Sequence, residues 1–363
     1  MQLLLREIRK GRPLEKEDLF TLLQLEKEED LRELYALAYE MKCRYIGKKV
    51  SFRALIEYSN ICSKNCFYCG IRKDNKKTLR YQMEDDEVLA AAKWAFEQGF
   101  GSLVLQSGER EDAFFIEKID SLLRKIKSMT CGKMGITLSC GEQEEEVYQK
   151  WFESGAHRYL LRIEASREEF YRKLHMADHS YKRRVGCLKS LQKIGYQTGS
   201  GVMFGLPGQT LEHMVHDLLF FREMDLDMIG MGPYIPHPDT PLTRENPEFS
   251  IPDNKLLTLS LKMIACTRLL LKDVNIAATT ALHTLREDGR EMGLKAGANV
   301  IMPNATLPRY KNSYQLYRGK SALNDGPDAA LTLLAESIEK IGEKILWNEW
   351  GDSPHFAARK KEN

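Results

Sequence analysis

The sequence lacks an excess of charge of either sign: 54 Lys and Arg stand against 52 Asp and Glu, a formal charge of +2 over 363 residues. So balanced a chain carries no electrostatic footprint for nucleic acid, and basic pairs such as Arg72-Lys73 and Lys76-Lys77 read as solvated faces. No run approaches the roughly 20 apolar residues that cross a bilayer, so no membrane partner is expected. The opening Met1-Gln2-Leu3-Leu4-Leu5-Arg6 lacks the apolar core and small-residue cleavage site of an export signal. The chain is therefore expected in the cytoplasm. There is no low-complexity segment and no repeat of fixed period. Cysteine is sparse, and eight without an export signal argue for free thiols or a metal site and against a disulfide framework.

What is present is an ordinary globular composition, 43% hydrophobic and 29% charged, enough to bury a sizeable core. Residues 1–48 carry apolar positions at helical spacing among many charges and predict an N-terminal helical extension. From Val50 the pattern becomes short apolar runs alternating with amphipathic stretches. Strands are expected at 51–58, 102–106, 135–139, 159–163, 199–204, 228–231, 275–279 and 299–302. Strand and helix in alternation imply a parallel sheet, and eight repeats can close into a (β/α)8 TIM-type barrel, an α/β fold spanning 49–320. Residues 321–363 are expected to form a C-terminal helical segment and tail, with the basic end from Asp352 frayed and solvated.

In such barrels chemistry gathers where strands end in loops at the C-terminal face. Directly after the first strand candidate comes Cys62-Ser63-Lys64-Asn65-Cys66-Phe67-Tyr68-Cys69, a C-x3-C-x2-C loop. Three thiolates at this spacing can hold three irons of a 4Fe-4S cube and leave the fourth open to a small molecule. Bacterial ferredoxins need four cysteines. Structural zinc sites usually add a second C-x2-C or an H-x3-5-H pair, and the triplet is read here without either. Cys43, Cys131, Cys140, Cys187 and Cys266 are widely spaced and read as small buried residues.

Further polar residues stand at other strand ends. Ser107-Gly108-Glu109 closes the second strand candidate and Gly141-Glu142 follows the third. Arg158, Leu160, Arg162 and Glu164 share parity and would face one way from the fourth. Charges aimed into a barrel are costly unless paired or ligand-bound, so Glu164 and Arg162 form either a structural bridge or part of a ligand site. Arg184, on the next helix, has the fork geometry that matches a carboxylate. His237, in the proline-rich run 233–241, reads as a loop-shaping residue.

The triplet, with an aromatic just before its last cysteine, resembles the radical S-adenosylmethionine (SAM) superfamily. Ile56 to Asn60 before it and Gly70 to Asn75 after it, Leu103 to Glu109, Arg158 to Glu164, Gly205 to Thr210, Ile229 to Leu242, Ala277 to Ala281 and Ala296 to Lys320 follow in order the pattern of one of its members, the HydE family. The resemblance implies that Cys62, Cys66 and Cys69 ligate one 4Fe-4S cluster whose free iron chelates SAM. It implies Tyr68 beside the adenine, Gly108 and Glu109 at the amino group of SAM, and Glu164 with Arg184 at its ribose and carboxylate. By the same match Gln106, Thr137, Met203, Thr279, Thr280, Met302, Tyr314 and Tyr317 line a substrate cavity, with Arg158 and Arg162 supplying positive charge. HydE proteins mature the active-site cluster of FeFe-hydrogenase. The expected substrate is thus a small organometallic molecule, an iron bound to cysteine, carbonyls and cyanide, with an electron donor and other maturases as partners.

The chain departs from the family pattern in places. No cysteine follows Cys266, so the accessory cluster of some members is not expected. Arg162-Ile163-Glu164-Ala165 and Gly108-Glu109-Arg110-Glu111 replace the usual Arg-His-Glu-Thr and Gly-Glu-Asp-Pro. Other readings are a mutase like methylornithine synthase, a sulfur insertion like biotin synthase, or a non-enzymatic iron-sulfur carrier, which would have no need of the SAM residues.

Overall fold

A computed structural model describes residues 2–320 and 327–362. Eleven strands are present among them: β1 (Lys49–Ser59), β2 (Ser102–Ser107), β3 (Gly135–Ser139), β4 (Ala156–Leu160), β5 (Gln197–Ser200), β6 (Met203–Phe204), β7 (Met228–Ile229), β8 (Gly232–Pro233), β9 (Asn275–Ile276), β10 (Val300–Ile301) and β11 (Lys344–Leu346). All pair in parallel: nine form one sheet in the order β10-β1-β2-β3-β4-β5-β7-β9, with β11 also against β1, and β6 pairs with β8. A bridge from Ala277 to Val300, with Ala278 N–H donating to the Val300 carbonyl (2.9 Å), joins β9 to β10. The eight expected strands thus meet end to end around a ring, as the alternating pattern predicts.

Side-chain parity explains the ring. Leu103, Leu105, Ile136 and Leu138 face outward into the helix layer and are fully buried, whereas Gln106, Thr137 and Arg158 turn inward. Helices between strands are set by local caps: Asp112 accepts from Phe115 N–H to start Ala113–Met129, and Ser180 accepts from Arg183 N–H to start Tyr181–Ile194. The N-terminal helix Glu28–Tyr45 lays Leu34, Leu37, Ala38 and Met41 against the helix Asp253–Leu271. Lys42, fully buried, is paired with Glu343 at 2.6 Å. Among the described residues no helix is long and apolar enough to cross a membrane.

Only 135–139 keeps both expected bounds; β7, β9 and β10 are shorter than the sequence pattern, β1 and β2 slightly longer, and the fourth and fifth strands are displaced. The fourth strand starts at Ala156 and its regular ladder ends at Leu160; beyond it Glu164, at a left-handed φ of 63°, still bridges Val202 of the next repeat. Likewise β5 ends at Ser200, and Met203–Phe204 form a separate short ribbon with β8.

The C-terminal segment is not a frayed end. Trp350 to Ser353 close the lower end of the barrel: Arg53 and Asn275 donate to the Gly351 carbonyl (3.1 and 2.9 Å), and Gln197 donates to Asp352 (2.8 Å). The helix Pro354–Glu362 follows, and its Arg359 reaches the buried Asp227 at 2.6 Å. The buried Asp227 and the more exposed Asp225 and Asp273 give the basic tail its partners. Residues 321–326, where the C-terminal segment was expected to begin, lie outside the described residues.

Candidate functional site

The loop after β1 is tied down on every side. Ser63 donates through both N–H and Oγ to the Glu109 carbonyl (2.8 and 2.9 Å), and Gly108 N–H donates to the Ser59 carbonyl (2.8 Å). Phe67 N–H reaches the Leu174 carbonyl (2.9 Å) and Gly70 N–H the Leu316 carbonyl (3.0 Å). Arg80 gathers the carbonyls of Asn60, Ile71 and Arg72 within 2.5–2.7 Å. A methyl on Gly108 would strike the Ile61 carbonyl, so glycine is what lets β2 come this close to the loop.

Cys62, Cys66 and Cys69 are therefore held near one another, each half-buried. Burial pushes all three thiols up, Cys69 to about 12. Beyond burial, Cys66 is raised by Cys69 and Cys62, and Cys69 by Cys62. Neighbouring thiolates need a cationic centre between them, and three half-buried soft sulfurs on one loop fit a 4Fe-4S cube. Of the other cysteines, Cys140, Cys187 and Cys266 are buried as expected, while Cys43 is half-buried and Cys131 exposed.

Beside the triplet lies a buried charge network. Glu109 pairs with Lys64 (3.2 Å) and Arg184 (3.5 Å), and Arg184 pairs with Glu142 (2.7 Å). Gly141, at φ 80°, makes room for Glu109, since a Cβ there would run into the glutamate side chain. On the other flank Glu164 pairs with Arg162 at 2.8 Å; burial raises its carboxyl against the pull of Arg162 and Arg184. Tyr68 packs with an apolar cluster of Ala165, Phe170, Leu174, Met203 and Leu206, whose chemistry suits a planar ring.

The expected cavity residues fall into two layers. Gln106 sits in register with Glu57 and Ser139 near the mouth. Tyr314 and Tyr317 are close to Glu57 there, with Tyr314 also near Cys69 and Tyr317 near Arg162. Thr279 Oγ1 and Arg162 Nε are buried without a hydrogen-bond partner, and Thr280 opens the adjoining helix Thr280–Leu285. Thr137 and Met302 line the interior lower down, with Arg53, Leu160 and Met228. Met203 is placed in the apolar cluster around Tyr68. Arg158 is not brought to the mouth. It faces inward, as its parity requires, but at the floor, where it is fully buried and donates to the Trp350 carbonyl (2.6 Å) and Asp352 (3.3 Å). Parity fixes the face of a strand but not the depth.

Several residues escaped the sequence reading. Glu142 was signalled by the Gly-Glu pair that recurs after β2 and β3. Lys64 lies inside the triplet itself. His175 and His179 have an H-x3-H spacing, so the triplet does have a histidine pair nearby: His179 Nδ1 is 4.0 Å from Cys66 Sγ, and His175 Nε2 is 3.2 Å from Tyr68 OH. Lys320 reaches the buried Glu57, which also accepts from Asn304 (3.1 Å). His237, which the sequence reading does single out as loop-shaping, packs its ring against Gly70.

A barrel with three cysteines after its first strand and carboxylates at the next strand ends defines a class, and the comparisons name it. The sequence profile of the Radical SAM superfamily matches residues 56–221, and the chain belongs to that superfamily, whose members work with a 4Fe-4S cluster and SAM. Within it the chain is a HydE-like hydrogenase maturase: it is 46% identical over 319 residues to the [FeFe] hydrogenase maturase subunit HydE of Thermotoga maritima, covering 88% of each chain. Methylornithine synthase (PylB) superposes with a TM-score of 0.79 at 26% identity, covering 95% of this chain and 98% of that one. The maturase HydG from Carboxydothermus hydrogenoformans shares the fold, with a TM-score of 0.78 at 19% identity over 95% of this chain and 79% of that one.

Proposed function

We propose that this enzyme acts on the sulfur of a cysteine-bound iron carbonyl/cyanide precursor during assembly of the FeFe-hydrogenase active-site cluster. When bound, the reduced cluster and SAM supply a 5'-deoxyadenosyl radical. The chain's own residues then have these tasks. Cys62, Cys66 and Cys69 hold the cluster; Glu109, backed by Lys64, takes the amino group of SAM. Glu164 and Arg184 take its ribose and carboxylate, and Tyr68 with its apolar neighbours takes the adenine. The observation that carries the substrate reading is the pair of unpartnered buried groups at the mouth, Arg162 Nε and Thr279 Oγ1. Orphaned donors in a buried wall favour a small anionic ligand that completes them. Tyr314, Tyr317 and Gln106 complete the wall. The reading includes a cytoplasmic setting, partner maturases and an electron donor.

The test is anaerobic incubation of the reconstituted protein with SAM, dithionite and either a cysteine-iron carbonyl cyanide complex or lysine. Adenosyl transfer to the sulfur of the iron complex is the expected result. Cleavage of SAM stimulated only by lysine, with isotope moving into 5'-deoxyadenosine, would replace this reading with a mutase like methylornithine synthase. No cleavage with either would leave an iron-sulfur carrier.

A further inference from the structure

His175 and His179 stand behind the cluster loop with no task in the reaction just described. They flank the short stretch that follows the helix Glu168–Leu174, and they are 3% and 5% exposed. The ligand atoms of His175, His179 and Cys66 all lie within 4.8 Å of one another. The two rings are nonetheless used differently. Both nitrogens of His175 have protein partners, Nδ1 on the Tyr171 carbonyl (2.8 Å) and Nε2 on Tyr68 OH (3.2 Å). His179 directs Nδ1 at Cys66 Sγ (4.0 Å), and its Nε2 is buried without a hydrogen-bond partner.

We propose that His179 is a positioning residue for the cluster, donating its Nδ1–H to the Cys66 sulfur and thereby raising the cluster's reduction potential. The tautomer follows from the chemistry. A sulfur bound to iron carries no proton, so the hydrogen of this contact must come from the ring, and a neutral ring with its proton on Nδ1 leaves a lone pair on Nε2. Nothing holds the proton on Nε2, since the carboxylate facing it, Asp178 Oδ1 at 3.9 Å, is beyond hydrogen-bond reach. Hydrogen bonds to cluster sulfurs stabilise the added negative charge of the reduced state, so they shift the potential upward. His175 acts on the same loop from the other side by fixing the hydroxyl of Tyr68, and its filled nitrogens remove it from competition for iron.

The proposal rests on Cys62, Cys66 and Cys69 being the cluster ligands. Failure of that premise would appear in the unmodified chain, as no four-iron uptake, before any histidine is changed. The experiment compares His179→Ala and His179→Asn with the unmodified protein. Asparagine can place an N–H near the position of Nδ1. Each protein is reconstituted anaerobically, its iron counted, and its midpoint potential measured by titration followed by electron paramagnetic resonance, without SAM. The expected result is a lower potential in His179→Ala at unchanged iron, restored in His179→Asn. Loss of iron in His179→Ala but not in His179→Asn would support the same donor role. An unchanged potential in His179→Ala would overturn the proposal, and so would an equal shift or loss of iron in both variants. A third measurement guards against ligation. If apo-protein binds Co2+ with a thiolate band that His179→Ala and His175→Ala abolish, and Cys62→Ala and Cys69→Ala do not, the pair is a metal site with Cys66 and the donor role fails.

Discussion

At the scale of single residues, the site is decided by which side chains have partners. Cys66 is the most crowded of the three thiols, raised by burial and then by both other cysteines. Cys66→Ala is expected to abolish both uptake of about four irons per chain and cleavage of SAM. Cys187→Ala should leave both intact, because Cys187 is a buried helical residue whose thiol meets the Gln143 carbonyl at 3.7 Å and the Tyr148 side chain, away from the triplet. Iron assay and chromatography of 5'-deoxyadenosine check the pair; retained cleavage in the first variant would refute the ligand assignment. Arg162 pairs with Glu164 yet keeps Nε unpartnered. Arg162→Lys, which keeps the charge and loses the fork, is expected to lower kcat/KM for the iron substrate at least about tenfold while uncoupled SAM cleavage persists. The cysteine spacing was legible in the sequence because three ligands of one cluster lie within one loop. Lys64 and the two histidines were not, and Glu142 was marked only by its Gly-Glu pair, since their roles come from neighbours distant in the chain.

At the scale of elements, the ends of β2 and β3 act as one unit. Glu109 stands where it does because Gly141 clears space for it, and Gly141 is itself held at φ 80°. Gly141→Ala places a side chain in a left-handed conformation and against Glu109. The expected cost is about 1–3 kcal/mol of stability, together with weaker SAM binding, to be read from thermal melts and from equilibrium binding to the reconstituted protein. Unchanged affinity would mean that Glu109 does not touch SAM. The alternating pattern announced these elements well, since period and strand length are local properties. It misjudged where the fourth strand stops, because the pairing there depends on the following repeat: past Leu160 the ladder is interrupted and resumes only at Glu164, whose N–H donates to the Gly201 carbonyl (3.0 Å).

At the scale of the whole molecule, the C-terminal segment closes the barrel that the N-terminal strands begin. Asp352 neutralises Arg158 at the floor; its carboxyl is held well below the usual range, chiefly by hydrogen bonding from His157 and the charge of Arg158, against the cost of burial. Asp352→Ala would strand a fully buried guanidinium and is expected to cost about 2 kcal/mol, below the full value for a buried pair because Asp352 remains a third exposed. Urea unfolding measures it. A carboxyl depressed in the folded state contributes stability above its unfolded value of about 4 and loses it as pH falls through the folded one, so the difference between the proteins should shrink in acid. His355 works in the opposite sense. Hydrogen bonding to Asp273, then to Asp225, raises it from 6.5 to about 9. Its contribution is full below about pH 6.5 and is lost as pH rises through about 9. His355→Gln should therefore lower the melting temperature at about pH 6 and leave it nearly unchanged at about pH 10; equal effects at both would contradict the charged pairing. The sequence by itself determined the eight-fold alternation, the inward and outward faces of each strand, and the cysteine loop, because periodicity and ligand spacing are written within short stretches. Only the tertiary structure decided how deep each inward residue lies, sending Arg158 to the floor and Arg162 to the mouth. It alone set His179 behind Cys66 and made the basic tail a plug, because depth and pairing depend on how strands stagger around the ring, which no single stretch encodes.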